Sequence, residues 1–247
     1  MELFPYESAL PTKGSARVEN PFSARKIRAV TTPKMSSNDL KVVGVPESRF
    51  DDAINHLKWN FFSDEPLNHA VGLCEKGESQ FELERHCLLT LKQGYSRMLV
   101  DQNGMIAGMA LNGILKKGER EEAERRLAEL NDEKFKIIFG LLYKVNKKVD
   151  LFYKYNVDEL FECRILSIDE NFRGKGLASI LMADSIEIAK TAGFKVFKVD
   201  ATGMYSQKVC YKHGLEVEAM ILYRDLDESI RPAPPHQALK LLVKVLD

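Results

Sequence analysis

Apolar residues recur along this chain in two rhythms. Phe50, Ala53, Ile54, Leu57 and Phe61 fall at the three- and four-residue spacing of one helix face. Pro46-Glu47-Ser48 opens that helix. It is expected to end near Ser63-Asp64-Glu65-Pro66, because the residue before a proline is pushed out of the α region. Further helical patterns cover residues 81–91, 116–129 and 135–149, with Phe135, Ile138, Leu142 and Val145 on one side of the last. The 116–129 stretch is highly charged and reads as a solvated face, with Glu122 and Arg126 able to pair at i, i+4. A long helix is predicted over 177–191 and a short one over 204–213, stopped by Gly193 and Gly214. Strand-like runs cover 40–45, 97–100, 105–115, 161–168, 195–199, 215–223 and 239–246. Gln102-Asn103-Gly104 is a hairpin signal between two of them, and Pro232-Ala-Pro-Pro235 forms a crossing before the last. This order predicts a mixed α/β sheet covered by helices.

Residues 1–38 have no steady period, and Pro5, Pro11, Pro21 and Pro33 break any helix there. They are expected to form a flexible N-terminal tail, followed by one domain over 39–247. Lys+Arg and Asp+Glu both number 36, so no bulk attraction to nucleic acid or an anionic membrane is expected. No apolar run approaches the roughly 18 residues of a membrane helix, and the N-terminus lacks a signal-type apolar core. Cys74, Cys87, Cys163 and Cys210 form no Cys-x-x-Cys pair, and the five histidines form no metal-type cluster. No metal is therefore expected. Few cysteines and no signal suggest a reducing, cytoplasmic setting, and the chain is taken as a monomer.

The most informative stretch runs from Ile165 to Ala178. An apolar strand leads through Asp169-Glu170-Asn171 to Arg173-Gly174-Lys175-Gly176, and then to the long helix from Leu177. Unpaired N–H groups at a helix start favour an anion, glycines let a phosphate approach the backbone, and Arg173 and Lys175 add cationic donors. A P-loop is absent, and Ser179 holds the place of the third glycine in a dinucleotide fingerprint. The pattern Arg/Gln-x-x-Gly-x-Gly/Ala is met by Arg173, Gly176 and Ala178. It resembles the pyrophosphate loop of the GNAT superfamily of N-acetyltransferases. The bland alternative is an ordinary glycine-containing loop before a helix.

Further stretches narrow the resemblance. They are Trp59-Asn-Phe-Phe-Ser-Asp-Glu-Pro-Leu-Asn68, Asp200-Ala-Thr-Gly-Met-Tyr-Ser206, Val209-Cys-Tyr-Lys-His-Gly-Leu215 and Pro232-Ala-Pro-Pro-His236. Together they look like the insect arylalkylamine N-acetyltransferases, over about residues 40–246. The resemblance implies a GNAT-type fold, with a mixed, mostly antiparallel central sheet flanked by helices. It also implies acetyl-CoA as co-substrate and a small-molecule amine of dopamine, serotonin, tyramine or octopamine type as acceptor.

Such chemistry needs a base to take a proton from the alkylammonium as the amine attacks a thioester, and a carboxylate held partly dry suits that work. Glu65 lies between Phe61-Phe62 and Pro66-Leu67, and the resemblance assigns it as general base, through water. The alternative is a surface cap beside a proline; Asp64 is expected to be structural. The resemblance puts the carbonyl-polarising N–H groups at Leu166, Ser167 and Ile168, the cofactor loop at Arg173, Gly174, Lys175, Gly176, Leu177 and Ala178, and the hydroxyls near the thiolate at Thr202 and Ser206. If the helix includes Thr202, the two hydroxyls share one face; both could instead cap that helix. Where many acetyltransferases carry a tyrosine acid, this chain has Cys210, with Tyr211 one step off. Phe61, Phe62 and Met109 are candidates for an aromatic pocket, although such residues are more often core. Acetyl is expected to pass directly to the amine. The rivals are an acetyltransferase for agmatine or a polyamine, and a non-catalytic acyl-CoA-binding module.

Overall fold

Seven strands form one sheet in the order β1-β2-β3-β4-β5-β7-β6 in a computed structural model that describes residues 40–247. The tail expected over residues 1–38 lies outside the described residues. The strands are β1 Lys41–Gly44, β2 Arg97–Val100, β3 Ile106–Lys116, β4 Glu159–Ile168, β5 Val196–Ala201, β6 Glu216–Leu222 and β7 Ala238–Val245. Every neighbouring pair is antiparallel except β4 and β5. The hairpin expected at Gln102-Asn103-Gly104 joins β2 to β3.

The helices are α1 Phe50–Asn60, α2 Pro66–Val71, α3 Phe81–Leu91, α4 Glu119–Glu129, α5 Glu133–Asn146, α6 Leu151–Tyr155, α7 Leu177–Thr191 and α8 Met204–Lys212. Adjacent residues of β3 show how they cover two faces. Asn112 Nδ2 donates to Ser185 Oγ of α7 (2.9 Å), whereas Leu111 lies in the core with side chains of α1, α3 and α5. Two short helices, α2 and α6, depart from the sequence reading. Pro66 starts a helix rather than only ending one, since proline is well suited to a first helical turn whose N–H has no partner.

Two irregularities in β4 open the sheet. Its register on β3 steps from Leu111↔Ile165 to Asn112↔Cys163, so Arg164 is an extra, bulged residue. On its other edge β4 pairs with β5 only at Phe161↔Phe197 and Glu162↔Lys198. Beyond that pair the two strands run on unpaired with each other, to Ile168 and Ala201, and a wedge opens between them.

Phe62 and Met109 belong to the core. Both are fully buried there and neither lines the cavity described below, so the pocket role expected of them does not hold. Met109 sits mid-strand in β3, opposite Ser167, with its side chain packed inward.

Candidate active site

The parted strands open into a cavity of about 1130 Å³. One end is lined by Arg173, Gly174, Gly176, Leu177 and Ala178. Its middle is lined by Phe61, Glu65, Leu166, Ile168, Thr202 and Ser206, and its far end by Arg120, Asn146, Glu162, Arg164, Lys198 and Asp200. The expected residues therefore meet, with the exceptions of Phe62, Met109 and Lys175. Lys175 Nζ instead sits 4.8 Å over the Phe172 ring.

The loop end is built from backbone. Gly174 and Gly176 both have φ +77°, a conformation costly for any side chain, and Gly176 caps α7. The N–H groups of Gly174, Lys175, Gly176, Leu177 and Ala178 donate to no backbone carbonyl among the described residues. They stand at the positive end of a helix, which is anion-binding geometry. Arg173 does something different from what its spacing suggested. Its Nε donates to Ile168 O (3.1 Å), and its Nη2 donates to Asn60 O (3.0 Å) and Asp64 Oδ2 (2.8 Å). The guanidinium thus ties the loop to the end of β4, to α1 and to the segment carrying Glu65. Asp64 has the structural role expected of it.

The amides of β4 follow from the ladder. Asp169 N–H bonds Ala107 O (3.0 Å). Alternation in an antiparallel pair then turns the Ser167 N–H toward Met109 on β3, and the N–H groups of Leu166 and Ile168 toward the wedge. Ser167 differs from expectation on this count, because its amide is spent in the sheet. Its hydroxyl is 3.1 Å from Nε2 of His56, whose pKa burial lowers to about 4.

Glu65 is the N-cap of α2. Its Oε2 accepts from the Asn68 N–H at 2.7 Å. Its Oε1 is buried and has no hydrogen-bond partner among the described residues. Burial raises its pKa, against smaller lowering contributions from the Thr202 hydroxyl and the Asn68 and Leu67 amides. The carboxylate caps α2 with one oxygen, from a buried position rather than the surface one the sequence also allowed, and its other oxygen is left without a partner among the described residues.

Thr202 follows β5 and precedes α8, whose N-cap is Gly203, so the two hydroxyls do not share a helix face. Neither caps α8. Ser206 Oγ donates to Gly203 O (2.8 Å), and the α8 amide of Met204 donates to His236 Nδ1 (3.2 Å). Tyr223 donates its hydroxyl to Thr202 O (2.8 Å). A Cβ on Gly203 would come within 3.3 Å of Pro66 Cγ, so glycine allows this turn to reach the Glu65 segment.

Sequence reasoning missed His236 and the charged far end. Lys198 is 1% exposed and donates to Asp200 Oδ2 (2.8 Å) and to Glu162. Burial opposes ionisation of Glu162, but Lys198 and Arg164 overcome it and hold its carboxyl well below the usual carboxylate range. Lys198 and Asp200 alternate along β5 and Thr202 keeps that spacing just past its end; polar residues at period two in an apolar stretch were the available signal.

Comparison with known proteins accounts for this assembly. Residues 55–215 match the Acetyltransferase (GNAT) family. The chain belongs to that family. It is an acyltransferase, and the acetyltransferases of the family use acetyl-CoA. The crystal structure of arylalkylamine N-acetyltransferase 2 from Aedes aegypti is 44% identical, covers 85% of this chain and 100% of its own, and superposes with a TM-score of 0.82. A polyamine N-acetyltransferase of Drosophila melanogaster that forms N-acetylagmatine is 23% identical over 84% of this chain and 100% of its own, with a TM-score of 0.75. At that identity it shares the fold alone. No described helix is long and apolar enough to cross a membrane.

Proposed function

We propose that this enzyme moves acetyl directly from acetyl-CoA to the primary amine of an arylalkylamine, with Glu65 as general base. The observation that carries the reading is the unpartnered Oε1 of Glu65. It is a buried carboxylate oxygen of raised pKa, in the same cavity as the wedge and the anion loop. Acetyl-CoA supplies an activated thioester. In this reading the amides between Gly174 and Ala178 hold the diphosphate, and Arg173 holds that loop in shape. The Leu166 and Ile168 N–H groups donate to the carbonyl oxygen as negative charge grows on it. Glu65, through water, takes the ammonium proton while the C–N bond forms and the C–S bond breaks. Thr202 and Ser206 supply the hydroxyls beside the departing thiolate.

Direct transfer is favoured because the nearby thiols are poor nucleophiles. Burial pushes Cys210 up to about 12 and raises Cys163 further, so neither is a thiolate at neutral pH. The aryl reading rests on Phe61 at the cavity wall and on the similarity to the mosquito enzyme. The experiment is amine-dependent thiol release from acetyl-CoA with dopamine, serotonin, tyramine, octopamine and agmatine. Turnover of the aryl amines well above agmatine is expected. Preference for agmatine would overturn the substrate assignment.

A further inference from the structure

Two buried carboxylate oxygens of cavity-lining residues have no hydrogen-bond partner among the described residues: Glu65 Oε1 and Asp200 Oδ1. The first is accounted for by the base. The second is not, and an unpaired buried acceptor is costly unless something meets it. Asp200 is held rigidly. Its Oδ2 accepts from Lys198 Nζ (2.8 Å) and Asn146 Nδ2 (2.7 Å), and Asn146 is in turn fixed by Arg120 on its carbonyl (3.1 Å). Asp200 lies on β5 two residues before Thr202, which follows the last residue of the strand; both line the cavity, and two extended residues span about 7 Å. With the amine nitrogen at Glu65 and Thr202, Asp200 stands about one arylethyl chain away.

The charge balance says which donor fits. Glu162 already has Lys198 and Arg164, and Asp200 already has Lys198. A second cation would find no unmatched charge and would stand beside Lys198. A bare hydrocarbon would leave Oδ1 unpaired. We propose that Asp200 Oδ1 accepts a hydrogen bond from a neutral donor at the far end of the amine, a phenolic hydroxyl, and so selects hydroxylated ring amines over bare ones. This rests on the arylalkylamine reading above.

The test uses tyramine and phenylethylamine, which differ by one ring hydroxyl. A hydrogen bond to a charged acceptor corresponds to a preference of about ten- to a hundredfold. Wild-type kcat/KM should favour tyramine by that factor, and Asp200→Leu should bring the ratio close to one while phenylethylamine turnover is retained. Equal kcat/KM for both amines in the wild type overturns the proposal, whether or not the variant folds. An equal loss on both amines in Asp200→Leu overturns it too, because a purely structural residue would behave that way. Failure to acetylate either amine would instead remove the arylalkylamine reading itself, and this proposal with it.

Discussion

If Glu65 is the base, as proposed, replacing it by Gln removes that function and little else. The carboxamide keeps the shape, and its oxygen can still accept from the Asn68 N–H that caps α2. A positioned general base is worth about 10²–10⁴ in rate, or ~3–5 kcal/mol of barrier. Neutral-pH kcat/KM should fall by that factor. The pH profile carries the stronger test. Burial raises the pKa of Glu65, so the wild-type rate should fall as pH drops through that raised value, where the base becomes protonated. In the variant that limb should vanish, and the deficit should shrink at high pH, where more of the amine is already free. Stability gives the control. A carboxyl with a raised folded pKa contributes stability below its unfolded pKa and loses it as pH rises through the folded one. Glu65→Gln should therefore have a neutral-pH Tm no lower than wild type. The assay is steady-state thiol release across pH beside thermal melts. A deficit of the same size at every pH would refute the base assignment.

Three further outcomes are expected. Lys198→Met leaves the buried Asp200 carboxylate without its cation and Glu162 with Arg164 alone, so unfolding free energy from denaturant titration should drop by about 3–5 kcal/mol. Arg173→Lys cannot reproduce a guanidinium fork bridging Ile168, Asn60 and Asp64, so KM for acetyl-CoA should rise nearly as much as in Arg173→Ala; full rescue by lysine would make Arg173 a simple point charge. Gly203→Ala presses on Pro66 and moves Glu65, so kcat should fall severalfold while KM for acetyl-CoA is held, as read from steady-state kinetics with each substrate varied.

Much of the fold was legible because its strands and long helices carry strong periods. The pattern over 81–91 coincides with α3, and that over 177–191 coincides with α7. Helix α2 escaped because a proline can both stop one helix and start the next, and six residues are too few to show a period. The anion loop could be read from local chemistry alone, since glycines and a helix start act within one turn. The other partners of the loop could not. Arg173 reaches residues 60 and 64, more than a hundred positions away in the chain. Phe62 and Met109 looked like pocket residues because sequence does not tell an aromatic or aliphatic wall from an aromatic or aliphatic core; only burial does. The same holds for Asp200, whose unpartnered oxygen depends on where Lys198 and Asn146 stand.

The central claim is that both substrates occupy one cavity and acetyl passes between them without resting on the protein. Initial rates of thiol release, with acetyl-CoA and tyramine varied against each other, address it most directly. Direct transfer predicts intersecting double-reciprocal lines, and an intact-protein mass unchanged by acetyl-CoA alone. Parallel lines together with an acetylated protein would contradict it.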